Sequence, residues 1–218
     1  MSDITNSWDL NAPEWIALLE RSGIPSRAVT NDAILSTVKR YARKHVIDLG
    51  CGEGWLSRAL EQQGLHVTGL DATGALIEQA RRQSEQSYIH ISYEDIIAGK
   101  LNSDIQADTI VCNYALYEQD STRQLLLSMR QFLSQEGKLI IQTVHPSFLL
   151  QTEEGYKSQW MSNAWEGLAG DFSHPHRWYA RTLEDWQQLF HQAGYCIYEI
   201  VETLSAETKP LSIIFILA

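Results

Sequence analysis

From His45 onward the chain alternates short apolar runs with stretches of helical spacing. Val46 to Leu49, His66 to Leu70, Tyr88 to Ser92, Thr109 to Asn113 and Lys138 to Val144 read as strands. Trp55 to Gln63, Gly74 to Gln83, a short piece near Ile96 to Leu101, and Ser121 to Leu133 read as the helices between them. Such short, nearly all-apolar runs suit strands buried on both faces, and the alternation predicts right-handed crossovers and a parallel sheet. The ending breaks this rhythm. After a helix from Thr182 to Gln192, stopped by Gly194, two strands follow at Tyr195 to Glu202 and Leu211 to Leu217. Only Thr203 to Pro210 joins them, too short for a helical crossover, so they are expected to pair antiparallel.

The N-terminal pattern is helical. Asn11-Ala12-Pro13-Glu14 precedes Trp15, Ile16, Leu18 and Leu19, which predicts a helix capped at Asn11 with proline in its first turn. Gly23-Ile24-Pro25 ends it, and a second helix is expected from Asn31 to about Arg43. Residues 1–44 are therefore expected to form a helical cap on a domain spanning 45–218. Residues 146–180 show no clear period but hold Trp160, Trp165, Trp178, His174 and His176. A stretch of that length is usually functional or disordered, and its aromatic content favours a lid or substrate wall.

Composition narrows the classes. The chain has 218 residues, 44% hydrophobic and 20% charged, an ordinary globular balance for one domain. No apolar run approaches the roughly 18 residues of a membrane span. The start Met1-Ser2-Asp3-Ile4-Thr5 lacks the marks of a signal peptide, so a cytoplasmic protein is expected. Seventeen basic against 27 acidic residues give a net charge of -10, which disfavours nucleic acid as a partner. Cys51, Cys112 and Cys196 form no paired spacing, so they are expected to be buried thiols rather than a disulfide or zinc framework.

The chemistry is concentrated in Asp48-Leu49-Gly50-Cys51-Gly52-Glu53-Gly54-Trp55, a strand end followed by a glycine-rich turn and a helix start. Glycines there permit tight turns and close backbone approach to a ligand. The dinucleotide fingerprint requires a glycine where Trp55 stands, and Asp48 would repel a pyrophosphate. A cofactor with a cationic amino-acid tail and no phosphate tolerates that acid. A second carboxylate, Asp71, ends the next strand. Alone, Asp48 is explained as a helix N-terminal acid and Asp71 as a turn residue; together, at this spacing, they point to a cofactor site.

The segment resembles motif I of class I S-adenosylmethionine (SAM)-dependent methyltransferases: an apolar strand, then Asp48, Gly50, Gly52 and Gly54. The resemblance covers roughly residue 45 to the end. It implies an α/β fold: a Rossmann-like, seven-stranded, mostly parallel sheet in three αβα layers with an antiparallel C-terminal hairpin. It also implies a cofactor site. Asp48 resembles the acid that organises the loop and faces the methionine ammonium. Gly50, Cys51 and Gly52 offer backbone beside the methionine and ribose. Asp71 resembles the acid that takes both ribose hydroxyls, with Ala72 near the adenine. Glu94-Asp95-Ile96 resembles the acid-plus-apolar pair at the adenine, Asp95 accepting from the exocyclic amine or Glu94 one residue earlier. Cys112, Asn113 and Tyr114 sit where the family lines the donor sulfur.

The implied activity is methyl transfer from SAM to a small-molecule acceptor by in-line displacement, with no metal and no nucleic acid or membrane partner, in a monomer or homodimer. His145-Pro146 after the fifth strand and the run from His176 to Trp186 resemble a small-molecule subgroup of the family. His145, His176 and Tyr114 are the catalytic candidates; for the histidines the alternative is hydrogen bonding to loop backbone. Trp8 and Trp15 either cap the cofactor or pack on the sheet. Tyr114, Tyr117, Trp160, Trp165 and Trp178 are expected to wall the acceptor. The competing readings are a non-catalytic SAM-binding scaffold, transfer of a group other than methyl, and an NAD-dependent oxidoreductase.

Overall fold

The computed structural model describes residues 3–218; Met1 and Ser2 of the N-terminal run lie outside them. The elements follow in order as α1 (Asp3–Glu20), α2 (Arg27–Tyr41), β1 (His45–Leu49), α3 (Trp55–Glu61), β2 (His66–Asp71), α4 (Gly74–Gln83), β3 (Ser87–His90) and α5 (Tyr93–Ile97). Then come β4 (Ala107–Asn113), α6 (Ser121–Met129), β5 (Leu133–Val144), the short pair β6 (Gln159–Met161) and β7 (Trp178–Ala180), α7 (Leu183–Gln192), β8 (Ile197–Leu204) and β9 (Pro210–Leu217). Seven strands form one sheet in the order β3-β2-β1-β4-β5-β9-β8. β1 to β5 pair parallel, and β9 runs antiparallel to both β5 and β8. Chain order reverses between β1 and β4, which opens a crevice at the C-terminal ends of those strands.

Both faces of the sheet are covered because successive side chains alternate sides. Ile47, Leu49, Ile110 and Ile141 pack with Leu125 of α6 and Trp186 and Phe190 of α7. Val46, Val111, Ile140 and Ile214 pack on the other face with Ile34 and Val38 of α2 and Leu56 and Leu60 of α3. The expected boundary at residue 44 thus falls inside a packing unit, since α2 is one of the helices of the sandwich. Among the described residues no helix is long and apolar enough to cross a membrane. Cys51 and Cys112 are buried, whereas Cys196 is exposed, against the expectation that all three are covered.

The N-terminal helix departs most from its expected form. It starts at Asp3, not Asn11, and carries Pro13 inside it. Proline lacks the N–H that would reach back one turn, so the helix runs through a missing bond. Asn11 is no cap. It is buried, and its Nδ2 donates to the carbonyls of Ser7 (2.8 Å) and Ser173 (2.6 Å) while its Oδ1 accepts from the Ser173 N–H (2.8 Å). Ser7 donates to the His174 carbonyl (2.6 Å) and lies 3.0 Å from Trp165 Nε1 and 3.1 Å from His176 Nδ1. These bonds fasten α1 to the irregular segment 146–180, which reads as one clamp over the strand ends.

Ser7→Ala leaves two buried partners, Trp165 Nε1 and His176 Nδ1, unsatisfied at one point, a cost of about 1–3 kcal/mol. Amide hydrogen exchange in residues 3–20 and 159–180 is expected to quicken together, with β1 to β5 unchanged. Faster exchange in only one of the two segments would show that they are not coupled.

Candidate functional site

A cavity of about 730 Å³ lies over the crevice between β1 and β4. That volume is in the usual range for small-molecule sites. Its floor is the loop after β1. Gly50, Gly52 and Gly54 all have positive φ (75°, 57° and 81°), which a β-carbon disfavours. Each serves differently. A β-carbon on Gly50 would stand 2.4 Å from Ala115 Cβ and 2.7 Å from the Tyr93 hydroxyl. One on Gly54 would meet Tyr88 and Ala80, closing the start of α3. One on Gly52 would meet nothing within 4 Å, so its backbone faces open space, and Gly52 is on the cavity wall.

Asp71 ends β2 at the cavity wall. Its Oδ2 accepts from the Gly52 N–H and its Oδ1 from the Thr73 N–H, each at 2.8 Å. Burial raises its pKa, and the two backbone donors oppose that rise. Each oxygen keeps a lone pair for a ligand hydroxyl. Ala72 and Glu94 also line the cavity; Glu94 borders a second, smaller hollow with Asp95. Asp95 pairs with Lys100 at 2.6 Å, and Ile96 is wholly buried in the core between α5 and the sheet. Neither Asp95 nor Ile96 lines the main cavity, because Ser92 caps α5 and its short turn directs them away. Tyr93 takes that place on the wall and donates its hydroxyl to the Ala115 carbonyl (3.1 Å).

Asp48 lies beneath the loop rather than on the wall. It is buried and accepts from the Ser57 hydroxyl at 2.7 Å. Desolvation pushes its pKa up to about 7, the Ser57 bond opposing and the charges of Glu53 and Asp71 adding. Of the two acids in the Asp48–Gly54 stretch, the one that lines the cavity is Glu53. Its Oε2 accepts from the Trp55 N–H (2.7 Å) and lies 3.8 Å from Arg58. Burial raises Glu53, with Arg58, the Trp55 N–H and Arg27 pulling it down. Arg27, at the start of α2, also lines the cavity, 5.0 Å from the centre of the Trp55 ring. Burial lowers its pKa against the pull of Glu53. The glycine-loop end of the cavity thus presents Arg27 beside the carboxyls of Glu53 and Asp71. Glu53 was visible in the sequence as an acid between two glycines; nothing around Arg27 marked it.

Asn113 and Tyr114 line the cavity at the end of β4, and Cys51 joins them from the loop. Tyr114 has φ 53° and donates its N–H to the Gln142 carbonyl (2.9 Å). Burial pushes its phenol up, so it stays neutral. Cys112 is fully buried in the core, outside the wall, and burial raises its thiol. His145 turns away from the cavity. Its Nδ1 lies 2.7 Å from the Ser147 hydroxyl and its Nε2 2.8 Å from Glu202 on β8, so it caps the turn Pro146–Gln151. Val144 is on the wall, while the bonds to Ser147 and Glu202 hold the His145 ring away from it.

His176 is buried behind the wall, among Trp8, Tyr117 and Trp165. Ser7 has one hydroxyl proton, given to the His174 carbonyl, so His176 Nδ1 carries the proton of their contact. Desolvation lowers its pKa to about 4, and it is neutral at ordinary pH. Trp8, Trp15, Tyr117, Trp165 and Trp178 line the cavity. Trp160 does not; it lies on the β6–β7 pair, against Tyr179 and Arg177.

A family model described as a methyltransferase domain matches residues 27–200. The chain belongs to that methyltransferase domain family. Among curated relatives, the ubiquinone biosynthesis O-methyltransferase of Coxiella burnetii (strain RSA 493 / Nine Mile phase I) is 34% identical over 106 residues, 48% of this chain and 45% of the relative. That of Rickettsia conorii is 27% identical over 104 residues, 48% of this chain and 36% of the relative. The chain spans about half or less of the length of these relatives. Among solved structures, the DhpI-SAM-HEP complex superposes with a TM-score of 0.66 at 15% identity, covering 99% of this chain and 96% of that one. An S-adenosylmethionine dependent methyltransferase from Mesorhizobium loti gives 0.62 at 17%, covering 85% and 95%. These establish the fold: a Rossmann-like methyltransferase sheet with an antiparallel C-terminal pair.

The raised pKa of Asp48 gives a signed pH effect. Its folded value of about 7 exceeds its ordinary 3.8, so its stabilising contribution is complete below 3.8 and is lost as pH rises through 7. The melting temperature of Asp48→Asn, relative to the native chain, is expected to climb between pH 4 and 7 and level off above. A pH-independent difference would place the carboxyl in a wetter setting. Gly50→Ala tests the floor: strain and overlap together should cost about 2–4 kcal/mol in urea unfolding.

Proposed function

We propose that this chain is a SAM-dependent methyltransferase acting on a small-molecule acceptor. The observation that carries this reading is Asp71, fastened to the Gly52 N–H at the mouth of a glycine loop whose backbone is open to the cavity. A sulfonium donor brings its own leaving group and an electrophilic methyl. The residues present fit such a donor. Asp71 would take the ribose hydroxyls, Gly50 to Gly52 would lie beside the sugar and the chain, and Ala72, Tyr93 and Glu94 would border the base. Glu53 and Arg27 match the ammonium and carboxylate of an amino-acid tail. Asp48 supports this from below by holding Ser57 at the start of α3.

The chain's work in transfer would be alignment and the exclusion of water. Neither His145 nor His176 is on the wall, and the Tyr114 phenol is held neutral, so this reading assigns no proton-abstracting role to the three candidates. α1 and residues 146–180 would serve as the lid, with Trp8, Tyr117 and Trp165 closing the acceptor side. The name O-methyltransferase carried by the curated relatives supports oxygen as the methylated atom. The buried thiols fit a reducing, cytoplasmic setting.

Binding of S-adenosylhomocysteine by calorimetry tests the donor site, and transfer from labelled SAM into a pooled metabolite extract tests the activity. Arg27→Ala should weaken S-adenosylhomocysteine binding about tenfold to a hundredfold, the range of a lost charge-assisted hydrogen bond. Gly52→Val should abolish it by filling the donor's space. A native chain that binds NADH but not S-adenosylhomocysteine would refute the reading.

A further inference from the structure

Gln142 stands near the end of β5, 1% exposed, yet borders the cavity. Its Nε2 donates to the Thr30 carbonyl (3.1 Å) and the Ser212 hydroxyl (2.9 Å). A carbonyl oxygen only accepts, so the amide nitrogen must face Thr30 and the amide cannot be turned over. Its Oε1 is left buried with no hydrogen-bond partner. Directly across the strand pair, Asn113 is the register partner of Gln142, also borders the cavity, and also has a buried, unpartnered side-chain oxygen. A buried amide oxygen without a donor is costly, and native proteins keep few of them. Two on facing positions of one wall mark a place for a ligand's hydrogen-bond donors.

Position in the sheet says which ligand. Asp71 ends β2, with Ala72 next, and the glycine loop follows β1, while Asn113 ends β4 and Gln142 stands two residues before the end of β5. Neighbouring strands are about 4.8 Å apart, so Gln142 lies about 10 Å beyond the strand that carries the donor loop. Donor and acceptor must meet end to end for an in-line displacement, and the β4–β5 end is the side away from the ribose acid. Thr30, Asn31 and Tyr114 continue the polar wall there.

We infer that Gln142 is an acceptor-recognition residue: its Oε1, with the amide of Asn113, receives a hydroxyl or N–H of the methyl acceptor. The inference rests on the methyltransferase reading and adds to it a substrate class, acceptors with a hydrogen-bond-donating group. A wall built to receive that hydrogen rejects analogues lacking it, because its own oxygens then stay unpaired.

The test uses the full chain saturated with S-adenosylhomocysteine and two matched probe pairs, phenol with anisole and indole with 1-methylindole, titrated by NMR. The donor-bearing member should bind about tenfold tighter in the native chain. Gln142→Met should shrink that preference to about twofold and leave S-adenosylhomocysteine affinity unchanged. Gln142→Glu, protonated in that buried position so that one oxygen donates to the Thr30 carbonyl while the other still accepts, should retain it. Equal binding of the paired probes, a preference that survives Gln142→Met, or failure of phenol and indole to bind at millimolar concentration would each overturn the proposal. So would a loss of S-adenosylhomocysteine affinity in Gln142→Met, which would give the oxygen to the donor's ammonium. A native chain that fails to bind S-adenosylhomocysteine at all fails the underlying reading instead.

Discussion

Two backbone N–H groups, those of Gly52 and Thr73, hold the Asp71 carboxylate at the end of β2. Much of the site depends on that arrangement. The two main-chain bonds oppose the rise in pKa that burial imposes on this carboxylate and keep it in one place. The Gly52 bond also sets the path of the loop after β1, so the second strand shapes the turn that follows the first. The loop in turn takes positive φ at all three glycines, and Ala115, Tyr93, Tyr88 and Ala80 press on Gly50 and Gly54 from outside. The crowding is on the protein side and the open space is on the cavity side. A ligand can therefore approach bare backbone at Gly52 without the loop having to move.

Electrostatics then divide the carboxylates by depth. The charges of Glu53 and Asp71 raise Asp48, and that of Asp71 raises Glu53. Asp71 is supported by backbone donors, and Glu53 by Arg58 and the Trp55 N–H. Asp48 has one hydroxyl and full burial, so it is the one whose proton is retained furthest toward neutrality. Glu53 and Asp71 thus border the cavity with donors at their oxygens, while Asp48 underpins the loop from below. This assigns to Glu53 the cavity-facing position that the motif's spacing suggested for Asp48.

The sheet and the donor loop were legible because their signals are local. Strand alternation, glycine spacing and an acid after each of the first two strands occupy residues 45 to 71, and each constraint acts between near neighbours in sequence or on adjacent strands. The short C-terminal connection was legible for the same reason, since Thr203 to Pro210 is too brief for any other crossing. What escaped was decided by contacts between distant segments. Asn11 looked like a cap because an Asn ahead of a proline usually is one. It lies inside a helix because Ser173, 162 residues away, satisfies its amide. His145 looked poised at a strand end because the alternation of that strand's faces cannot be read past Pro146, and Glu202 claims the ring. Asp95 and Ile96 lie on a five-residue helix, too short to show a period, and neither lines the main cavity.

The same distinction explains why the donor half of such a site is readable and the acceptor half is not. On the proposed reading the donor would be held by one loop and one strand end, so its chemistry is compressed into a motif. The other half of the cavity is assembled from α1, the ends of β4 and β5, and the segment 146–180, and its polar contacts join Ser7 to His176 and Thr30 to Gln142. Each partner taken alone is an ordinary serine, histidine or glutamine with no spacing to mark it. Their meaning comes from what remains unpaired after the fold has closed. Ser7 is saturated by its contacts with His174, Trp165 and His176, and so belongs to the clamp. Gln142 spends its nitrogen on Thr30 and Ser212 and keeps an oxygen in reserve beside the cavity. Hydrogen-bond accounting on the closed structure therefore separates residues that build the wall from those left to address a ligand, a separation no linear pattern of residue types contains.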